Sequence, residues 1–470
     1  MTFPGKGDIQ IEPPRGRGPG IVAAIEDRSY IFFIASALIV ALAGGFLLAV
    51  VLPLSATGIL PWEERVPRLV QAHGWAQLQG WAGLFVAGMG IRLLPRFAGR
   101  KPVSRRVTLP ILALLVSSIT VRTIVQPFVG GDAGAILLVG AAVAGGLGTL
   151  AVATVHAVTL ARGRKPPDPW RDFARAGAAW WAVWAVFIVA AAIRGADNGR
   201  YTPVQLDDTL TWIVMLGAIG NFIWAVQSRA VPVFFNRKTP SRRQTAVPFA
   251  LLNIGTLAIV ASLLPLSASG SQRLMGAGLA MAGVGLAWTA PIAGAVRGQA
   301  SRLRPRARSA SRYVLAANLF AMVAGVLLIW AGLHSVFSGD FEAPGARDAA
   351  RHAFGLGLIT LLIVGMAQLV APVFALERAE ARSPGIEDHL GWWALLAGAT
   401  MRVVAGLLYD TVSYDTRMHL AAIAGALAWI GLAMFAASVV RAVRKEPRMR
   451  ALISSAADEA AATRRSPPTG

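Results

Sequence analysis

The sequence predicts an all-α protein, a polytopic membrane bundle of about twelve transmembrane helices in three four-helix repeats. Three observations predict it. Charge is too scarce to coat a water-facing surface. Apolar stretches long enough to cross a bilayer recur along the whole chain. A short proline-containing motif returns after every fourth stretch. Of the 470 residues, 55% are hydrophobic and 15% charged, and the mean hydropathy is +0.56. Soluble proteins carry about 25% charge, so lipid must cover most of this exterior.

A spanning helix needs about 20 mostly apolar residues. Such runs fall near 29–54, 69–95, 107–127, 133–161, 174–194, 209–235, 246–267, 273–296, 313–336, 349–376, 389–409 and 418–440. The formal net charge of +21 would suggest nucleic-acid binding in a soluble protein, but its placement excludes that. Basic clusters follow the second, fourth, sixth and eighth runs: Arg100 to Arg106, Arg162 to Arg171, Arg237 to Arg243 and Arg302 to Arg308. Loops after odd runs are acidic, as at Glu63, Glu64, Asp207, Asp208 and Asp340. Basic loops stay cytoplasmic, so both termini are expected inside. The tenth-to-eleventh loop departs from the pattern, because Glu377, Glu380, Glu387 and Asp388 outnumber Arg378 and Arg382. Residues 1–28 read as a disordered cytoplasmic tail, 29–442 as the membrane domain and 443–470 as a cytoplasmic C-terminal tail, disordered from about Ser454.

The repeat is carried by the ends of the second, sixth and tenth runs. Each has a proline followed two residues later by phenylalanine: Pro95 and Phe97, Pro232 and Phe234, Pro372 and Phe374. The prolines are 137 and 140 residues apart. Gly88-Met89 and Gly365-Met366 precede the first and third prolines at the same offset. Four runs separate successive copies, so the repeats are parallel, about an axis along the membrane normal. The halves of six helices found in major-facilitator transporters do not fit this period.

The absence of cysteine excludes thiolate-held iron–sulfur clusters, covalent c-type haem and disulfides. Metal ligands would have to come from His, Met, Tyr or carboxylates. His73 and His352 lie early in runs two and ten, 22 and 20 residues before their prolines. Two imidazoles at one level on facing helices are what a bis-His haem requires. The two-residue difference turns one ring by about half a turn and moves it about 3 Å from strict symmetry. A local bulge or helix tilt would absorb that. The alternative is a pair of unrelated interfacial histidines. Gln77 is one turn from His73 and would share its pocket. His334 and His419 are further candidate metal ligands, or else face water at the ends of runs nine and twelve. His156 and His389, at the opposite side, read as structural or solvated.

Arg122 and Arg402 fall inside runs three and eleven, and charge within a bilayer is costly unless paired. Within the predicted bounds no run contains Asp or Glu, so a partner carboxylate is expected from a loop or a ligand. Haem propionates would serve, and so would loop acids such as Asp410. No phosphate-binding loop, dinucleotide fingerprint, zinc-protease motif or nucleophile elbow is present.

The stretches His73 to Phe97 and His352 to Phe374 resemble the NnrS family, haem- and copper-containing bacterial membrane proteins linked to nitric oxide stress. The architecture is similar to the catalytic subunit of haem-copper oxidases, twelve spans in three arcs of four with low-spin haem ligands on spans two and ten. The resemblance implies a bacterial cytoplasmic (inner) membrane protein with His73 and His352 on a b-type haem, and Arg402 beside its propionates. Copper is implied by the family, with His334 and His419 as candidate sites. Oxidases place copper-ligating histidines on spans six and seven, where this sequence has none, and two haem ligands on span ten, where it has one. An oxidase-type binuclear centre is therefore not expected. The expected function is a haem protein of nitric oxide handling or electron transfer, with nitric oxide as gas ligand and an unidentified redox partner. The alternatives are an anion transporter using its intramembrane arginines, and an assembly factor for a respiratory complex.

Overall fold

The computed structural model describes residues 28–164, 168–235, 237–293, 305–340, 343–374 and 386–465. Nearly all of the expected N-terminal tail lies outside them. So do much of the loop after the eighth span and most of the loop between the tenth and eleventh. The described residues form twelve long helices and no strand. In chain order these are α1 (Ser29–Ala56), α2 (66–98), α3 (Arg105–Phe128), α4 (Gly131–Ala161), α5 (Pro169–Asp197) and α6 (Val204–Phe234). They continue as α7 (Arg242–Ala261), α8 (Ala268–Ala293), α9 (Pro305–Ser338), α10 (344–374), α11 (Ile386–Leu407) and α12 (Tyr414–Arg465). The protein is a multi-pass membrane bundle. Eleven of these helices are long and apolar enough to cross a bilayer. The remaining one is α2, whose Gln71, His73, Gln77 and Gln79 lower its hydropathy. These polar residues face the interior of the bundle.

Each helix packs on the next, and α12 closes the ring on α1. Gly425 makes that closure possible, since a Cβ there would stand 2.6 Å from the Ala49 carbonyl oxygen. The Trp429 indole Nε1 donates to the Leu42 carbonyl at 2.9 Å. Helices α2, α6 and α10 form the centre. In α6, 89% of the most apolar window is buried, against 33% in α1, which faces outward.

The predicted repeat appears in the backbone as well as in the proline motif. Helices α2, α6 and α10 each contain an eight-residue π-helical segment: Ala76–Gly83, Ile213–Gly220 and Ala353–Thr360. Their starts are 137 and 140 residues apart, the same intervals that separate the three prolines. A π turn inserts a residue, widens the helix and re-aims its side chains; such segments cluster at functional sites. The last residue of each segment crowds the carbonyl five residues back. Gly83 and Gly220 avoid a side-chain clash with Leu78 and Met215, where a Cβ would stand 2.9 and 2.8 Å from the oxygen. Thr360 instead donates its hydroxyl to Gly355 at 3.1 Å.

Two expectations are corrected. Helix α12 continues through Arg465, past Ser454, where disorder was expected. The Ala-rich composition of this stretch has high helix propensity, which a reading based on its charge and polarity underweights. The spans were also expected to lack carboxylates. Helices α6 and α10 start before their apolar runs and take in Asp207, Asp208 and Asp348. Acids are stabilised in a helix's first turns by the helix dipole, and here arginines pair with two of the three.

Candidate functional site

A cavity of about 270 Å³ lies between α2 and α10, closed by α1, α3, α5, α6, α11 and α12. It sits toward the end of the bundle where α2, α6 and α10 begin. Five residues singled out in the sequence line it: His73, Gln77, Arg122, His352 and Arg402. The others do not. His419 is exposed near the start of α12, and His334 near the end of α9 is outside the lining. His389 bonds Arg312 at 3.0 Å on the surface. His156 is buried, its ring packed between Trp181, Phe222 and Gly90. Among the described residues, no group of three or more His, Asp or Glu is spaced to hold a metal ion.

Both cavity histidines are held through Nδ1. His73 Nδ1 bonds the carbonyl of Gly45 at 2.9 Å. Gly45 ends a short π segment in α1, Ala41–Gly45. His352 Nδ1 bonds the carbonyl of Asp348 at 2.8 Å and lies 3.3 Å from its carboxylate Oδ1. A carbonyl oxygen only accepts, so each Nδ1 carries a proton, and a neutral ring then has its lone pair on Nε2. Among the described residues neither Nε2 has a hydrogen-bond partner, and both rings border the cavity. Anchoring one ring nitrogen while the other is left to bind is the usual support of a metal-ligating histidine.

The His352 anchor extends outward. Arg402 grips Asp348 with both terminal nitrogens, Nη1 to Oδ2 at 2.7 Å and Nη2 to Oδ1 at 3.0 Å. Arg402 therefore orders His352 through Asp348, and its fork is already filled. Sequence reasoning missed Asp348 because it lies one residue before the predicted start of its span. The signal was present: Asp348 and His352 are four apart, and therefore on one helical face.

Gln77 packs against Gly45, where a Cβ would come within 2.9 Å of its amide carbon. Gly74 and Gly355, on opposite walls, have nothing within 4 Å of a built Cβ and open the space between the two helices. Trp81 Nε1 donates to Thr360 Oγ1 at 3.0 Å, tying α2 to α10 at the cavity's inner end. The mismatch in histidine spacing is not absorbed by a bulge. The π segments sit in the same register, with His73 three residues before its segment and His352 one before.

Arg122 is 2% exposed. Its Nε donates to Gln126 Oε1 at 3.1 Å, and its guanidinium lies 3.8 Å from the Trp75 ring centroid. Gln126 in turn bonds Gln71 at 2.7 Å. Between α6 and α10, Asp208 pairs with both Arg347 and Arg351. Arg351 also lines the cavity, as do Asp207 and Thr211.

Fold and cavity together define a polytopic membrane bundle with a cavity between its central helices, mostly apolar, bordered by two histidines and three arginines. No protein-family model and no curated protein matches the chain.

Proposed function

We propose that the cavity is a b-type haem site with His73 and His352 as axial ligands, and that the protein transfers electrons within the membrane. The observation that carries this reading is the matched anchoring of the two cavity-lining rings, each bonded through Nδ1 to a main-chain carbonyl. The donor set fits the group: two imidazoles, apolar walls, and an arginine with an unsatisfied N–H for a propionate. Bound haem supplies one-electron redox chemistry. With both axial positions taken by histidine, electron transfer is favoured over direct gas binding.

The chain's own groups do the rest. Gly45 and Asp348 fix the ring orientations. Gly74 and Gly355 leave room for a flat macrocycle. Trp81 and Thr360 set the depth, and the surrounding lipid-facing helices exclude water. A role in nitric oxide handling, membership of the NnrS family, location in a bacterial inner membrane and cytoplasmic termini belong to the same proposal, and rest on the sequence resemblance and the loop charges. Copper has no support from the placement of His334 and His419. The anion-transporter reading loses Arg402, which Asp348 already occupies.

The test is purification from cells supplied with haem. One haem per chain with a Soret band is expected. A protein that stays colourless after supplementation would overturn the reading.

A further inference from the structure

The three π segments are preceded at equivalent positions by Trp75, Trp212 and His352. The repeat thus sets an aromatic ring at one level on each central helix. Each ring has its arginine. Arg122 stacks on Trp75, Arg351 lies 5.4 Å from the Trp212 centroid, and Arg402 serves His352 through Asp348. These three arginines line the same cavity, but they are not equally committed.

Arg402 is gripped at both terminal nitrogens. Arg122 is buried, and its Nη1 has no hydrogen-bond partner among the described residues. Arg351 has an unpartnered buried Nε, and it shares Asp208 with Arg347, so it can turn to a ligand without leaving Asp208 unpaired. Asp207 borders the cavity within electrostatic reach of both but makes no ion pair with either among the described residues. Buried guanidinium N–H groups without acceptors are expensive. Two arginines carrying such groups line this cavity, and they call for anionic oxygens.

We infer that Arg122 and Arg351, each seated on a tryptophan, form a two-point seat for a pair of carboxylates in the cavity. The ligand class is a dicarboxylate. The propionate edge of a porphyrin is one source, and a free aliphatic dicarboxylate is the other. The porphyrin source rests on the haem reading; the seat itself does not. Sequence alone assigned this role to Arg122 and Arg402, and the geometry transfers the second place to Arg351.

The experiment uses metal-free protoporphyrin IX and its dimethyl ester, which lack iron and so do not depend on the histidines. Binding to the detergent-purified full chain is followed by fluorescence. The free acid is expected to bind at least about tenfold tighter than the ester, the scale of one hydrogen bond to a charged group. That preference should fall to near parity in Arg122→Gln and in Arg351→Gln and persist in Arg402→Gln. Arg122→Lys, which keeps the charge, guards against misfolding and should retain part of it.

Equal binding of acid and ester by the native protein, or a preference unchanged in both Gln variants, would overturn the inference. A Soret band with haem alongside acid–ester parity would sink the seat and spare the haem site. An acid preference that survives in His73→Ala/His352→Ala would support the seat independently of axial ligation. If neither porphyrin binds, succinate is the remaining arm. A rise in Tm for the native chain that is absent in Arg122→Gln assigns the seat to a free dicarboxylate, and no rise overturns it.

Discussion

The carboxylate of Asp348 lies 3.3 Å from His352 Nδ1 while Arg402 holds it from the other side at 2.7 and 3.0 Å. This chain of three side chains joins α10 to α11 and aims one imidazole into the cavity. It is the most detailed piece of chemistry in the bundle. It also explains why an arginine can sit inside an apolar helix: its countercharge comes from the first turns of the neighbouring helix.

Replacing Asp348 by Asn keeps the shape but removes the charge. The imidazole loses an anionic neighbour that raises its basicity as a ligand, and Arg402 is left partly unpaired. Haem content is expected to fall less than twofold, while the midpoint potential rises, because the oxidised iron is less well stabilised. A redox titration with optical detection measures this. An unchanged potential would show that Asp348 does not act through His352.

Asp208 is buried, accepts a hydrogen bond from Arg347, forms ion pairs with Arg347 and Arg351, and ties α6 to α10. Removing one partner of a buried ion cluster costs about 3–5 kcal/mol. Asp208→Ala should therefore lower stability by that order, read as a reduced Tm in detergent or as earlier loss of helicity on denaturation. Ala at the exposed Asp415, which makes no ion pair among the described residues, is the control, with a change near zero. Equal Tm values for the two variants would show that the cluster is not structural.

Gly74 and Gly355 face open space, so larger residues there grow into the cavity and displace no wall. Gly355→Phe and Gly74→Phe are expected to leave expression and monodispersity near native while reducing cofactor binding at least about tenfold, since the ring and the ligand compete for one volume. Size-exclusion chromatography with absorbance at 280 nm and in the Soret region separates the two effects. Native cofactor content in both variants would place the ligand elsewhere.

Much of the architecture was legible in the sequence because bilayer insertion is governed by run length and charge, both visible residue by residue. The repeat was legible at Pro95, Pro232 and Pro372, but the π segments behind it were not. Their sequences, AQLQGWAG, IVMLGAIG and AFGLGLIT, share glycine and little else. A one-residue insertion in a helix leaves no period to read. His73, Gln77, Arg122, His352 and Arg402 were found as polar residues within apolar runs and converge on the cavity. Asp348 and Asp207 were not placed at the site because the apolar runs begin one and two residues after them, past the polar first turns of their helices; Arg351 lay inside the predicted tenth run beside His352 and was overlooked. The commitment of Arg402 to Asp348, and not to a ligand, required side-chain geometry.

The central claim is that His73 and His352 clasp one iron. The direct measurement is near-infrared magnetic circular dichroism of the oxidised, haem-loaded protein, with His73→Ala and His352→Ala beside it. The account predicts the charge-transfer band of low-spin bis-imidazole haem in the native chain and its loss in each single variant. A native band that persists in either variant, or a native spectrum with a ligand other than imidazole, would contradict it.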